Sequence, residues 1–318
     1  MKYGNPKRFL RPEHTMTKSY FIIVVALFLG LSVNAQEVFM TKLGTDRAQQ
    51  GMAAWGRYIF SLEDGGKVNV YPFKKGKRSP VGSFSLESSC KENHANNAEF
   101  GIEKIKGATA PLLYVSVGKP GSSIDWTCYV ESISKKGGQW ESTLVQRLQL
   151  DTTQWTAKGY TPVFGAPSWL VDRKNKTLWV FSAVKRTTPK VTKSADENAY
   201  IATGFRIPSI AEGELVRLGA DDIIRQVIFP FDVWFTQAGC IKDGVIWYCF
   251  GLGEGHPDTP ASIRAYDTVR GRIIAEANIS KAVIQEPEDL FFRGKYLYIN
   301  CNSSKRSGSP PVIYRYKH

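Results

Sequence analysis

Short apolar segments recur along the chain, and a glycine-containing turn and a second, aromatic-rich segment follow most of them. Long stretches with apolar residues at helical spacing are absent from the sequence after residue 35. Aromatic and β-branched residues in short runs between turns favour strands over helices. The pattern therefore predicts an all-β protein. The five stretches that carry it begin at Gly51, Asn97, Ala166, Ala238 and Glu288.

Each stretch continues into a third strand, and most continue into a fourth. Four short antiparallel strands per repeat are typical of a β-propeller blade. The fifth repeat has only three strands before the chain ends, and residues 37–43 (EVFMTKL) can supply the missing one. We therefore predict that residues 36–318 form one propeller of five four-stranded blades, closed by this N-terminal strand. A sixth blade inside the long third repeat and a pair of β-sandwiches are the alternatives.

An apolar run precedes the repeats. Residues 21–31 (FIIVVALFLGL) follow Lys18 and lead to small residues that end at Ala35. A basic start, a short apolar core and a small-x-small end are typical of a secretory signal peptide, and the run is shorter than the ~20 residues that span a bilayer. We expect residues 1–35 to be this signal peptide, with Met16 as a possible true start. The mature protein is then periplasmic or extracellular, without a membrane span; an uncleaved anchor is the alternative.

The repeats resemble the β-propeller superfamily over residues 37–318, and the Val-Asn-Ala-Gln at residues 33–36 is similar to the signal-peptide ends of exported Bacteroidota propellers. The sequence lacks a WD dipeptide set, a kelch double glycine and a sialidase Asp-box, so it indicates no named enzyme family. The resemblance implies ligand binding on one face. That face is formed by the loops between blades and by the loops between the second and third strands within blades.

Polar residues stand just ahead of the predicted inner strands, where they would ring the central channel. Asparagine and histidine offer donors and acceptors without net charge, which suits sugar hydroxyls. Trp169 and Trp234 lie near the same loops, where a ring can stack on a sugar or pack in the core. The candidate ligand-binding residues at these positions are His94, Asn97, Glu99, Gln237, Glu286 and Glu288.

The net positive charge of the chain bears on the kind of ligand that it would bind. Lysine and arginine number 42 against 29 acidic residues, a net charge of +13, of which +9 remains once residues 1–35 are removed. Lys185 and Arg186 lie in a loop of the third repeat, and Lys305 and Arg306 in a loop of the fifth. Cations gathered on one face attract anions, so the expected ligand is a glycan or another anion. Export and the lack of a nucleic-acid-binding motif argue against nucleic acid.

The sequence leaves three further functions to weigh: catalysis, metal or cofactor binding, and protein interaction. A glycoside hydrolase or lyase could use Glu286 and Glu288 with His94, although no third acid completes the trio of arabinanase-like five-bladed hydrolases. His256 and Asp258 are too few to predict a metal, and no cofactor is expected. A cell-envelope interaction scaffold is the third possibility, and it predicts a large apolar patch.

The five cysteines are expected to be buried small apolar residues rather than zinc ligands, because no pair has CxxC spacing. A bridge between Cys240 and Cys249, which flank the Asp243-Gly244 turn, is the alternative in an oxidising compartment.

Overall fold

The computed structural model describes residues 36–45, 48–117, 124, 126–185, 192–304 and 306–317. The predicted signal peptide lies outside these residues. No helix in the described part of the chain is long and apolar enough to span a bilayer. The only helical segments described there are three short 3₁₀ turns, at Thr156–Lys158, Ile210–Glu212 and Ala220–Asp222.

The described residues form twenty-two strands. In chain order these are β1 (Glu37–Lys42), β2 (Gln49–Trp55), β3 (Tyr58–Glu63), β4 (Lys67–Pro72), β5 (Gly76–Arg78), β6 (Gly82–Ser85), β7 (Asn97–Phe100), β8 (Leu113–Ser116), β9 (Thr127–Lys136), β10 (Gln139–Leu150), β11 (Ser168–Asp172), β12 (Thr177–Lys185), β13 (Asn198–Arg206), β14 (Leu215–Leu218), β15 (Ile223–Phe229), β16 (Thr236–Lys242), β17 (Val245–Phe250), β18 (Ser262–Asp267), β19 (Arg272–Asn278), β20 (Pro287–Arg293), β21 (Tyr296–Cys301) and β22 (Val312–Lys317).

These strands build five four-stranded antiparallel blades, so the predicted five-bladed β-propeller is confirmed over six blades or paired sandwiches. From the inner strand outward, blade 1 is β2-β3-β4-β6, blade 2 is β7-β8-β9-β10 and blade 3 is β11-β12-β13-β15. Blade 4 is β16-β17-β18-β19, and blade 5 is β20-β21-β22-β1. Five large apolar clusters fill the five seams between neighbouring blades, so each blade buries both faces.

The N-terminal strand closes the ring as predicted. Strand β1 pairs antiparallel with β22, with Val38 opposite Tyr314 and Thr41 opposite Val312. At its end, the buried Lys42 Nζ donates to Gln49 Oε1 at 3.0 Å and to Asn300 Oδ1 at 2.6 Å. Because Gln49 belongs to blade 1 and Asn300 to blade 5, this lysine ties the two blades together where the ring closes.

Two short strands that the sequence pattern did not predict cover blade edges. Strand β5 pairs in parallel with β1, and β14 pairs in parallel with β10. Each comes from the connection between the third and fourth strands of one blade and reaches back to the outer edge of the preceding blade. The backbone groups at residues 40–42 of β1 and 147–150 of β10 are then paired rather than open to another chain.

The cysteines are all free thiols, and the alternative Cys240–Cys249 bridge is not formed. Cys128, Cys240, Cys249 and Cys301 are buried, as expected for small apolar residues, whereas Cys90 is exposed. The expectation of burial was therefore wrong for Cys90, which lies in the turn-rich connection between blades 1 and 2.

Candidate functional site

The inner strands β2, β7, β11, β16 and β20 surround the central axis and run in the same direction along it. We call the end where they begin the upper mouth and the end where they finish the lower mouth. Three cavities open at these ends: an upper cavity of about 360 Å³, a lateral cavity of about 570 Å³ beside it, and a lower cavity of about 350 Å³. The upper cavity is lined by residues at or ahead of the starts of four inner strands together with residues of β12 and β13, and the lower cavity by residues toward the ends of all five inner strands.

A layer of buried polar side chains lies between the two mouths, centred on Asp289. Its Oδ2 accepts hydrogen bonds from the Met52 N–H at 2.8 Å and the Ala98 N–H at 3.2 Å. Its Oδ1 accepts from the Asn97 amide at 2.9 Å and the Leu290 N–H at 2.8 Å. Burial raises the pKa of Asp289 well above its usual range. This carboxyl group therefore joins the inner strands of three blades instead of facing a ligand.

Asn97, a predicted ligand-binding residue, belongs to the same layer. Its side-chain amide also donates to the Gly239 carbonyl at 2.6 Å, and its Oδ1 accepts from the Ser116 hydroxyl at 3.3 Å. The side chain is fully buried. Its donors and acceptor are thus used inside the fold.

Glu99 lies below this layer, on the side of the lower cavity. Its two carboxylate oxygens accept from the Val171 N–H and, at 3.1 Å, from the Ile241 N–H, which links blade 2 to blades 3 and 4. Burial raises the pKa of Glu99 to about 8. The predicted grouping of Glu99 with His94 is therefore wrong, because His94 lines the upper cavity and Glu99 the lower one.

The upper cavity combines neutral polar groups with an aromatic wall. Its polar side chains include Gln50, His94, Asn96 and Gln237, which stand ahead of or at the start of three inner strands. The aromatic side chains that line it are Phe164, Tyr200, Phe231, Trp234 and Phe235.

Contacts among the aromatic residues hold the wall in place. The Tyr200 ring stacks on Phe231 with centroids 4.8 Å apart, and the Phe231 ring contacts Trp234 at 5.9 Å. The Tyr200 hydroxyl donates to the Val233 carbonyl, which fixes the segment before Trp234. The half-buried Trp234 is therefore positioned before any ligand arrives.

Phe235 reaches the cavity from an uncommon backbone conformation. Its φ is +71°, a left-handed value that bulky residues rarely adopt, and its side chain is 36% exposed. The Gly251 N–H donates to the Phe235 carbonyl at 2.9 Å and holds this turn. The result is a large apolar side chain kept at the cavity wall instead of in the core.

A second left-handed residue, Ala95 with φ +49°, lies between His94 and Asn96. The Ala95 methyl group is buried, and its carbonyl accepts from the Gly51 N–H at 2.8 Å. The residues on both sides of Ala95 line the upper cavity. His94 is further oriented by its Nδ1, which lies 2.8 Å from Asp64 Oδ1.

The lateral cavity lies between blades 4 and 5 on the same face. Gln237 Nε2 donates to Glu286 Oε1 at 2.8 Å, and this pair separates the lateral cavity from the upper one. His256 and Arg306 line the lateral cavity as well. Glu254 is there too, but it accepts from the Ser304 hydroxyl and, at 2.9 Å, from the Ser307 N–H.

Glu286 and Glu288 have different surroundings. Glu286 is half-buried in the cavity wall, whereas Glu288 is buried in the interior and accepts from the Asn302 amide at 3.0 Å. Burial, and then the charge of Glu286, raise the pKa of Glu288 well above its usual range. Paired carboxylates that flank a scissile bond must both reach the substrate, and only Glu286 lines a cavity here.

Two of the four predicted cationic residues lie at the cavities of the upper mouth. Lys185 Nζ lies 5.0 Å from the ring centroid of Phe164, at the edge of the upper cavity, and Arg306 lines the lateral cavity. Arg186 and Lys305 lie outside the described residues. Within the described ranges, no group of three or more His, Cys, Asp or Glu side chains could hold a metal ion.

Sequence reasoning missed most of the aromatic wall. Of the two tryptophans near the loops between blades, Trp234 lines the upper cavity and Trp169 is fully buried. The adjacent Phe235, in the same loop between blades, was the available signal for the rest. Tyr200 and Phe164 come from other parts of blade 3 and its preceding loop, and only the fold brings them to Trp234.

No family model matches the chain, and no curated protein shows significant similarity to it. Among solved structures, glutaminyl cyclase from Myxococcus xanthus is 12% identical, with 88% of this chain and 98% of that chain covered and a TM-score of 0.43. A glucose dehydrogenase is 9% identical, with 88% and 98% covered and a TM-score of 0.46. The β-propeller domain of Myceliophteria thermophila Cps50 (Swd1) is 11% identical, with 85% and 83% covered and a TM-score of 0.38.

Proposed function

We propose that this protein is an exported β-propeller that binds a glycan in its upper cavity. The observation that carries the proposal is an aromatic wall, ending in Trp234 and Phe235, that lines the same cavity as the neutral amides of Gln50, Asn96 and Gln237. A sugar ring has an apolar C–H face and a rim of hydroxyl groups. Aromatic rings match the first, and amides match the second. The Gln237 amide nitrogen already donates to Glu286 Oε1 and to the Gly251 carbonyl, so this residue offers its oxygen as an acceptor.

The charge at this mouth favours glycans that carry some acidic groups without excluding neutral ones. Lys185 lies at the cavity edge and Arg306 in the adjoining lateral cavity. A longer oligosaccharide seated on the wall would extend past the Gln237–Glu286 pair toward Arg306. The lateral cavity then becomes a second subsite for the same ligand.

A thermal-shift screen with neutral and acidic oligosaccharides tests the proposal, because a ligand that binds only the folded protein raises the unfolding temperature. The best ligand is then titrated by calorimetry against wild type, Trp234→Ala and the control Phe292→Ala. Phe292 is a half-buried aromatic residue at the lower cavity. We expect about a tenfold or greater loss of affinity in Trp234→Ala and none in the control. Failure of all sugars to stabilise the protein would refute the proposal, as would unchanged binding by a folded Trp234→Ala variant.

Export has its own test. The full-length gene is expressed in a Gram-negative host, the cells are fractionated, and the N-terminus of the product is sequenced. A mature protein that begins at Gln36 in the periplasm or medium is expected. Retention of the full-length chain in the cytoplasm would contradict export while leaving the binding proposal untouched.

A further inference from the structure

The lower cavity is lined by the ends of the inner strands and differs in chemistry from the upper one. Its walls are mostly apolar, and its rim carries positive charge. The volume of about 350 Å³ lies in the range of small-molecule sites. The apolar residues that line it are Ala53, Ala54, Ala98, Phe100, Val171, Cys240, Ile241, Phe291 and Phe292.

Two cations at this cavity lack acidic partners. Arg173 is exposed in the turn after β11, and Lys242 ends β16 with its Nζ 4.6 Å from the Phe292 ring centroid. Neither forms an ion pair with a carboxylate of the described residues. Their neighbour Lys174, in the same turn as Arg173, is by contrast paired with Asp243 at 3.2 Å.

The acid that lines the same cavity, Glu99, is engaged with the backbone. Both oxygens of Glu99 already accept backbone hydrogen bonds, from Val171 and Ile241. Burial also raises the pKa of Glu99 to about 8, which favours the neutral form of this carboxyl group over the charged one. The cavity therefore presents two positive charges at its rim above an apolar interior.

We propose that the lower cavity binds a small organic anion with an apolar body, of the aryl-carboxylate class. Its carboxylate lies between Arg173 and Lys242, where charge-assisted hydrogen bonds form, and its apolar body contacts Phe292 and the alanine-lined wall. An inorganic anion would meet the same cations but leave the apolar interior without a partner. This site is on the face opposite the proposed glycan site and does not depend on it.

Calorimetric titration of the folded chain of residues 36–318 with phenylacetate tests the site. Phenylacetamide has the same shape without the charge, and inorganic phosphate has the charge without the apolar body. We expect one phenylacetate per protein, with about tenfold weaker binding of phenylacetamide and of phosphate.

The double variant is expected to fold, since Arg173 is exposed, Lys242 is half-buried at the end of β16, and neither forms an ion pair within the described residues. The double variant Arg173→Gln/Lys242→Gln is expected to lose about tenfold in affinity for phenylacetate. The matched control is Lys174→Gln, which removes a neighbouring cation outside the cavity and is expected to bind as wild type does.

Four results would overturn the proposal. They are no phenylacetate binding by wild type, equal binding of phenylacetamide or phosphate, unchanged binding by the double variant, and an equal loss in Lys174→Gln. The last would mean that the general surface charge of this face, rather than the cavity, attracts the anion.

Discussion

The two mouths of the channel are built from the same five inner strands, yet they differ in chemistry. The upper mouth has neutral amides and an aromatic wall, and the lower mouth has apolar walls and two cations without acidic partners. The difference follows from the connections. Tight turns join the first two strands of blades 1, 3, 4 and 5 at the lower mouth, and the side chains at and beside the strand ends line the cavity there. Longer loops at the upper mouth add side chains, such as Trp234 and Phe235, that no strand end could place there.

Asp289 keeps the two mouths apart, and its replacement is expected to have the largest effect. In Asp289→Ala the buried N–H groups of Met52, Ala98 and Leu290 lose their acceptor, and the Asn97 amide loses one of its two. Each buried donor without a partner costs about 1–3 kcal/mol, so we expect the free energy of unfolding to fall by about 4 kcal/mol or more. Chemical denaturation followed by circular dichroism measures the change.

The control for this variant is Asp221→Ala, which removes an exposed carboxylate paired with Lys158 at the surface. Exposed ion pairs contribute about 0–1 kcal/mol, so the control should be close to wild type. A similar fall in the free energy of unfolding in the two variants would show that the buried polar layer around Asp289 does not hold the blades together.

The variant Trp234→Ala tests whether the upper cavity binds its ligand independently of the lower one. The ring is held by Phe231 and lines the upper cavity, so its loss removes the stacking surface without touching the lower cavity. We expect saccharide affinity to fall by about tenfold or more and phenylacetate affinity to stay within about twofold of wild type. Calorimetry with both ligands checks this. A parallel loss for phenylacetate would contradict separate sites.

The pH dependence of phenylacetate binding tests the lower cavity. Because the pKa of Glu99 is raised to about 8, its carboxyl group is neutral below that pH and negative above it. Arg173 favours the ionised form and Asp172 opposes it, while burial raises the pKa of the adjacent Cys240 thiol and keeps it neutral. The anion is repelled once Glu99 ionises, so phenylacetate affinity should fall by about fivefold from about pH 7 to about pH 9. Constant affinity over this range would exclude Glu99 from the site.

Lys185→Gln is expected to have the smallest effect. Lys185 lies at the edge of the upper cavity, where solvent screens its charge. Affinity for an acidic oligosaccharide should therefore fall by about threefold, while a neutral one of equal length is unaffected. Measuring both at low and moderate salt separates charge from shape, and an equal loss for the neutral sugar would point to packing instead.

The architecture could be predicted from the sequence because each propeller blade repeats the same turns and the same strand composition. The turn glycines Gly56, Gly244 and Gly294 all have positive φ, and each separates the first strand of a blade from its second. The three-stranded fifth repeat also required a fourth strand, and β1 provides it. These signals are local, or nearly so, and need no knowledge of side-chain packing.

The site could be predicted only in part, because neighbouring polar residues at a strand start take different roles. Alternation along an extended segment places residues 286 and 288 on the same side. However, the register of β20 against β21 shifts between Pro287 and Asp289. Such a bulge breaks the alternation that links sequence position to side-chain direction. Glu286 consequently lines a cavity while Glu288 is buried, a difference that the sequence does not show.

Reciprocal titration tests the central claim, two chemically distinct binding sites on one channel, most directly. Trp234→Ala and the double variant Arg173→Gln/Lys242→Gln are each titrated with the best saccharide and with phenylacetate. The account predicts that the first loses about tenfold or more in saccharide affinity alone and the second about tenfold in phenylacetate affinity alone. A loss of both ligands in either variant would contradict it, because the two mouths would then act as one site.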